Sequence, residues 1–205
     1  MSRKWFSAYL LSFARPRLAK LNVKTYPLPG IYNIYNTHAA VLFAQINNIT
    51  NETIEQSLKN FTPAFGRQEI IELDDKKVQI FLSKNPTSFN ESLRTIKELN
   101  ALHVLFVLND RIPDGRDVSW IWDVDFEEYL NDKIDVSVSG DRCYDMSVRL
   151  KYAHPSVKKV DTYPFLDKAV TSALYKLPKG ETLFILPTYS AMLEVRKILT
   201  GKKIL

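Results

Sequence analysis

The chain has 205 residues, 45% of them hydrophobic and 25% charged, which is ordinary for a globular protein long enough to bury a sizeable core. Its 28 basic and 23 acidic residues give a net charge of +5, but the basic residues are spread out and concentrate at the two ends, so composition argues against a nucleic-acid groove and only weakly for an anionic or membrane partner. The single cysteine, Cys143, excludes an internal disulfide and a cysteine-rich zinc site.

The amino-terminal part is predicted to be helical. Residues 1–17 combine a basic start with an apolar stretch too short to span a bilayer, which predicts an amphipathic helix on the protein surface or, alternatively, on a membrane surface. After a Pro/Gly breaker, apolar positions at helical spacing predict a helix over residues 32–46. Thr50 or Asn51 can cap a second helix that runs to about Lys59. A further Pro/Gly interruption places a domain boundary near residue 63.

Downstream of residue 63, strands and helices alternate. The predicted strands are 69–73, 77–82, 102–108, 134–139 and 182–186, and the predicted helices are 88–99, 125–131, 143–152, 165–176 and 190–199. The first two strands are close enough to form a hairpin. The run from Leu102 to Leu108 is continuous and apolar, as is typical of a strand buried on both faces of a parallel sheet. The sequence therefore predicts an α/β fold.

The segment from residue 109 to 126 is the most distinctive part of the chain. It carries two tryptophans and five aspartates, namely Asp110, Asp114, Asp117, Asp123 and Asp125. Ligands of open α/β sheets bind outside the carboxyl ends of strands, so a polar loop there is a candidate working surface. Carboxylates cannot be buried unpaired, and Arg111 and Arg116 can match only some of them. The alternative is a solvated loop whose tryptophans cap the core.

Three shorter motifs carry polar side chains with open alternatives. Asn33 and Asn36 near the start of an apolar helix can cap it or read an adenine edge, and local chemistry favours capping. Arg67 can clamp phosphate oxygens or form an interdomain salt bridge. Lys84 and Asn85 lie between a strand and a helix, where free amide hydrogens and a lysine would suit an anion.

In this order, the motifs resemble the Mur ligase family. The helix Gly30–Ala40 resembles the G-x-[HY]-N-x-x-N-x-x-A-A helix that ends the family's ATP-binding domain, and Gly66–Glu69 resembles the G-R-x-E that opens its Rossmann-like terminal domain. Later segments resemble the MurT branch, the ligase subunit of lipid II isoglutaminyl synthase: Lys84–Pro86, Leu108–Asp110, Asp114–Trp120, Ser139–Arg142, Asp145–Met146, Arg149–Ala153 and Leu186–Met192. The resemblance implies that residues 1–62 are a short helical remnant of the central ATP-binding domain and that residues 63–205 form the terminal domain.

The resemblance also implies a two-subunit reaction. A GatD-type glutaminase hydrolyses glutamine and passes ammonia to the ligase. The ligase uses ATP and Mg²⁺ to activate the α-carboxylate of D-glutamate in lipid II, and ammonia displaces the phosphate. The amidation is expected to take place in the cytoplasm, at the inner face of the membrane. No nucleic-acid partner is expected.

Site residues follow from the same resemblance. In this family an aspartate of the terminal domain is thought to complete the glutaminase's catalytic triad, and we expect it to be Asp117, with Asp123 next, because both flank the tryptophans that would bury the contact. The residues expected near the nucleotide are Asn33 and Asn36 at the adenine, Arg67 at the γ-phosphate, and Lys84 and Asn85 as weaker nucleotide or substrate contacts.

The sequence also departs from the family. It has no G-x-x-G-K-[ST] phosphate-binding loop, and one cysteine cannot form the four-cysteine zinc ribbon of MurT proteins, so no zinc or other metal ligand is expected. The isolated chain is therefore expected to be inactive, with a separate polypeptide supplying an ATP-binding half. The alternative is a non-catalytic docking or regulatory remnant that binds the glutaminase without ligase activity.

Overall fold

The computed structural model describes residues 23–63, 65–153 and 160–201. The chain divides into two compact units, Met1–Thr62 and Pro63–Leu205. The helix predicted over residues 1–17 lies outside the described residues. Among the residues that are described, no helix is both long and apolar enough to cross a membrane.

The described part of the first unit is a pair of helices. Helix α1 spans Ile31–Ile46 and helix α2 spans Asn51–Lys59, close to the predicted bounds. The hydroxyl of Thr50 accepts a hydrogen bond of 3.3 Å from the Thr53 amide and so caps α2. Val41 and Ile54 form the small apolar core between the two helices.

The second unit alternates strands with helices. In chain order the elements are β1 (Arg67–Leu73), β2 (Lys76–Phe81), α3 (Pro86–Glu98), β3 (His103–Val107), a 3₁₀ helix (Ser119–Asp123), α4 (Phe126–Tyr129), β4 (Asp135–Ser139), α5 (Cys143–Ala153), β5 (Asp161–Tyr163), α6 (Leu166–Lys176), β6 (Thr182–Pro187) and α7 (Tyr189–Thr200). The predicted α/β fold is confirmed. The sequence predicted neither β5 nor the 3₁₀ helix, and the helix that it predicted over residues 125–131 is longer than α4.

Six strands form one sheet in the order β1-β2-β6-β3-β4-β5. Strands β1 and β2 are antiparallel, as the predicted hairpin requires, and every other neighbouring pair is parallel. The carboxyl ends of the five parallel strands therefore lie along one edge of the sheet.

Helices cover both faces of the sheet, and the face that they cover changes between β3 and β6. Phe106 in β3 packs with α3, α4 and α5 on one face, whereas its neighbour Leu105 packs with α6 and α7 on the other. Strand β3 is thus buried on both faces, as predicted. The chain leaves β3 toward the first face and leaves β6 toward the second. The carboxyl ends of β3 and β6 therefore meet at a topological switch point, where α/β proteins bind ligands.

Candidate functional site

Asn109 joins three strand ends at this switch point. Its side chain is only 2% exposed. The backbone amide of Asn109 donates to the Thr188 hydroxyl at 3.0 Å, and its side-chain amide donates to the Ser190 hydroxyl at 3.0 Å. Its side-chain oxygen accepts from the Asp141 amide at 3.0 Å. One buried amide thus fixes the segments that follow β3, β4 and β6.

Gly140 allows the close approach of β4 to Asn109. Its φ of +99° is unfavourable for an L-residue. A Cβ at this position would lie 2.5 Å from the Leu108 carbonyl oxygen and 2.7 Å from the side-chain oxygen of Asn109. Only glycine fits this position without a shift of the backbone.

The loop after β3 is bound to the start of α7. Asp114 accepts a hydrogen bond of 2.8 Å from the Ser190 amide and another from the Ser190 hydroxyl. Arg111 forms a 2.8 Å bond with Asp141 and a second ion pair with Glu194. The partners of Arg111 thus lie after β4 and in α7, and neither is one of the five aspartates of its own segment.

Asp117 is exposed on this loop. One of its carboxylate oxygens accepts from the Ser119 amide at 2.8 Å. This backbone hydrogen bond, followed by one from the Ser119 hydroxyl, lowers the pKa of Asp117 below its ordinary value. Within residues 23–63, 65–153 and 160–201, Asp117 has no cationic partner. An ionised carboxylate is therefore held at the surface by its own loop.

Arg149 binds the backbone on either side of Asp123, the second candidate. The Arg149 guanidinium is buried and donates to the backbone carbonyls of Ile121 at 3.1 Å and Val124 at 2.5 Å. It also pairs with Glu127 at 2.7 and 2.9 Å. Asp123 itself is exposed and has no hydrogen-bond or ion-pair partner among the residues that the structure describes.

The two tryptophans differ in environment. Trp120 is half-buried and packs against Phe89 with ring centroids 6.0 Å apart. Trp122 is 52% exposed, lies over the Arg149 guanidinium and makes an edge contact with Tyr152. Trp122 thus offers more exposed surface to a partner than Trp120 does.

The other aspartates of the segment have structural partners. Asp110 pairs with Arg142 at 3.1 Å, and Asp125 accepts from the Asn90 side chain at 2.7 Å. The sequence reading missed Arg142 and Asn90 because each lies more than thirty positions from its partner. The alternative of a solvated, turn-rich loop thus accounts for part of the segment and leaves Asp117 and Asp123 available.

An open cavity of about 610 Å³ lies beside the strand ends. It is lined by apolar groups and by charges of both signs, among them Arg111, Asp141, Phe165, Glu194 and Lys197. Phe165 and Lys197 had no signal in the sequence, since only the sheet order brings α6 and α7 to this edge.

The predicted adenine contacts lie in the first unit. Asn33 is buried, and its side-chain amide donates to the Pro29 carbonyl at 2.7 Å. The favoured capping role is wrong, because Gly30 is the residue before α1 and no side chain accepts from the helix amides there. Asn36 is exposed, with its amide 3.5 Å from the Asn33 oxygen.

The predicted phosphate contacts lie in the second unit. Arg67 and Lys84 are exposed, and neither forms an ion pair within the described part of that unit. Asn85 caps α3 by accepting from the Ser88 amide at 2.8 Å, while the Ser88 hydroxyl accepts from the Lys84 and Asn85 amides. The expectation of free amide hydrogens here is therefore wrong, because this capping box uses them.

The glutamate of the G-R-x-E motif has a structural role. Glu69 accepts two hydrogen bonds from Arg196, at 2.7 and 2.8 Å, and one of 2.9 Å from the Gly66 amide. Burial opposes ionisation of Glu69, but the Arg196 and Gly66 hydrogen bonds outweigh it and lower the pKa. Glu69 therefore fastens the start of β1 to α7.

Comparisons with known proteins agree with this architecture. The model of the family described as MurT ligase C-terminal matches residues 82–192. Over 177 residues the chain is 33% identical to the MurT subunit of lipid II isoglutaminyl synthase (glutamine-hydrolyzing) from Streptococcus pneumoniae, covering 85% of this chain and 39% of that protein. The chain thus spans well under half of that relative.

Solved structures of Mur ligases share the fold. MurF from Acinetobacter baumannii aligns with a TM-score of 0.63 at 22% identity, over 84% of this chain and 38% of its own. MurF from Thermotoga maritima, solved in complex with ADP, aligns with a TM-score of 0.58 at 13% identity, over 83% of this chain and 38% of its own.

Proposed function

Because the chain belongs to the MurT ligase C-terminal family, we propose that it takes part in the ATP-dependent, glutamine-hydrolysing amidation of lipid II, a peptidoglycan precursor. The group amidated is the α-carboxylate of the D-glutamate in the stem peptide. The ammonia comes from a GatD-type glutaminase. Since lipid II is carried by the membrane, this work belongs at the inner, cytoplasmic face.

The observation that carries the proposal is the state of Asp117. Its carboxylate is exposed, ionised and held by Ser119 alone among the described residues. A triad carboxylate must accept a hydrogen bond from an imidazole and stabilise the imidazolium that forms. Asp117 can do this for a histidine of another polypeptide, since no cation of the described chain competes for it. Asp123 is the second choice for the same role.

The same loop offers an apolar contact for the glutaminase. Ile112 is 84% exposed, and Trp122 is 52% exposed. Burial of such side chains by a partner stabilises an interface and excludes water from the carboxylate. Exclusion of water strengthens the hydrogen bond between carboxylate and imidazole.

Each unit, taken by itself, carries candidate contacts for a nucleotide. Arg67 and Lys84 are exposed cations that fit phosphate oxygens, and the exposed Asn85, next to Lys84 in sequence, is a weaker candidate contact. Asn36, with Asn33 behind it, offers an amide to the adenine. Bound ATP with Mg²⁺ supplies the phosphoryl group that activates the carboxylate. The described residues contain no group of three or more His, Cys, Asp or Glu side chains that could hold a metal ion.

The ligase step requires polypeptide beyond these 205 residues. The sequence has no G-x-x-G-K-[ST] loop, and the S. pneumoniae relative is longer than this chain. We therefore propose that the chain alone does not hydrolyse ATP. A second possibility, favoured by the same missing loop, is a docking or regulatory protein that binds the glutaminase without ligase activity.

Glutamine hydrolysis tests the proposal. The chain is co-expressed with the GatD-type glutaminase of its organism, and ammonia release is measured for wild type, Asp117→Asn, Asp123→Asn and the exposed hairpin-turn control Asp74→Asn. We expect co-purification, stimulation by wild type and by the control, and loss of stimulation in Asp117→Asn. Equal stimulation by wild type and Asp117→Asn refutes the assignment of that residue. Absence of complex formation refutes the function, and an intact complex that leaves turnover unchanged supports the docking alternative.

A further inference from the structure

Helix α7 receives its amino-terminal cap from another part of the chain. Thr188 stands at the position before the helix, but its hydroxyl makes no hydrogen bond to α7 because it accepts from the Asn109 amide. The Ser190 amide is instead bonded to the Asp114 carboxylate at 2.8 Å. A carboxylate at this end of a helix is stabilised by the helix dipole and by the free amides of the first turn.

The Ser190 hydroxyl extends this contact into the core. It donates to Asp114 and accepts from the side-chain NH₂ of Asn109. The side-chain oxygen of Asn109 in turn accepts from the Asp141 backbone amide. Asn109 and Ser190 are both buried. We call Asn109, Asp114 and Ser190 the clasp. Since each member bonds to the next, the clasp ties the loop after β3 to the start of α7.

Asp114, the middle member of the clasp, lies three positions before Asp117. One residue after Asp117, the buried side chain of Val118 enters the core and fixes the other end of the segment. Asp117 itself is bonded only to Ser119 among the described residues. Its position therefore depends on the Asp114 clasp on one side and on Val118 on the other.

We propose that Asp114 is a positioning residue that holds Asp117 where a partner's histidine can reach it. This inference rests on the proposed function. Both oxygens of Asp114 accept hydrogen bonds from Ser190, so this carboxylate is held against α7, whereas Asp117 is bonded only to Ser119 among the described residues. Release of the clasp displaces Asp117 without removing it. The turnover number kcat then falls, while the affinity for the partner and KM for glutamine stay the same.

The test is a double-mutant cycle in the complex of the full chain with the GatD-type glutaminase. Wild type, Asp114→Asn, Asp117→Asn and the double variant are compared by kcat and KM for glutamine hydrolysis and by the Kd of the complex. We expect Asp114→Asn to lower kcat by about tenfold, since a displacement near 1 Å at a catalytic group has effects of this order or larger. The double variant should equal Asp117→Asn, because Asp114 acts only through Asp117.

Two further variants guard against a folding defect. Ser190→Ala removes the hydroxyl of the clasp but keeps its backbone amide, so we expect a smaller fall in kcat in the same direction. Asp125→Asn changes an aspartate of the same segment that pairs with Asn90 instead, and we expect wild-type kcat. Hydrogen exchange of the amides of residues 111–119 should quicken in Asp114→Asn and in Ser190→Ala but not in Asp125→Asn.

Each outcome decides the inference. Wild-type kcat in Asp114→Asn, or effects of Asp114 and Asp117 that multiply in the double variant, overturns it while leaving the role of Asp117 intact. Wild-type kcat in Asp117→Asn overturns both this inference and the residue assigned under the proposed function. A fall in kcat caused by Asp114→Asn that is absent on the Asp117→Asn background supports the inference.

Discussion

Replacing Gly140 by alanine should destabilise the second unit by about 2 to 5 kcal/mol. The residue has φ of +99°, which costs an L-residue about 1–2 kcal/mol. The new Cβ would also lie 2.5 Å from the Leu108 carbonyl oxygen. Since that atom belongs to the backbone and cannot rotate away, the strand ends must move apart, at a cost typical of overpacking, about 1–3 kcal/mol.

Gly180→Ala is the matched control for this substitution. Gly180 has a similar φ of +78°, but no atom lies within 4 Å of its would-be Cβ. It should therefore show the conformational cost alone, about 1–2 kcal/mol. Urea unfolding followed by tryptophan fluorescence measures both, and the Gly140→Ala midpoint should fall by on the order of 1–2 M. If Gly140→Ala loses no more stability than Gly180→Ala, the contact between β4 and Asn109 is looser than described.

Three further substitutions examine separate interactions. Glu69→Gln should lower the free energy of unfolding by about 1–3 kcal/mol at pH 7. Because the pKa of Glu69 is lowered in the folded state, the difference in stability between wild type and variant should shrink as pH falls from 4.5 through that lower value. A difference in stability that is unchanged at pH 3 contradicts the role of the Arg196 pair. Arg149→Met leaves the buried backbone carbonyls of Ile121 and Val124 without these hydrogen bonds and should cost about 2–6 kcal/mol in urea unfolding, since each buried unpaired polar group costs about 1–3 kcal/mol. The half-exposed Glu127 is solvated and adds little. A loss below about 1 kcal/mol means that the two hydrogen bonds contribute little. Ile112→Ser should raise the Kd of the glutaminase complex about tenfold, measured by calorimetry. Tyr175→Ser is the control and should leave the Kd unchanged, because Tyr175 is 88% exposed at the carboxyl end of α6, near the opposite edge of the sheet. Equal Kd values for the two variants place the partner elsewhere.

Local patterns in the sequence predicted the elements with strong apolar signals. Strand β3 was evident from its continuous apolar run, and the β1/β2 hairpin from two strands close in sequence. Strand β5 was missed because it has three residues, Asp161–Tyr163, all half-buried at the sheet edge. So short and mixed a run carries no periodicity.

The contacts of the site depend on topology and were not predictable from local patterns. Asn109 and Ser190 are 81 positions apart, and they meet only because β6 inserts beside β3. Likewise, nothing near Asp114 in sequence indicates that it caps a helix 76 positions later. The family resemblance directed attention to the segment from residue 109 to 126, and the fold distinguishes its aspartates with structural partners from Asp117 and Asp123, which remain exposed.

The two exposed candidates, Asp117 and Asp123, are held by different parts of the fold. Variants that loosen one support and leave the other intact can therefore show which carboxylate a partner uses. Asp117 depends on the Asp114 clasp, whereas the backbone on either side of Asp123 is bonded to Arg149. If a partner uses Asp117, Asp114→Asn should lower glutamine turnover and Arg149→Lys should leave kcat near wild type in protein that remains folded. If it uses Asp123, the two results should be reversed. Measuring kcat for both variants in the same complex therefore identifies the carboxylate without replacing either aspartate.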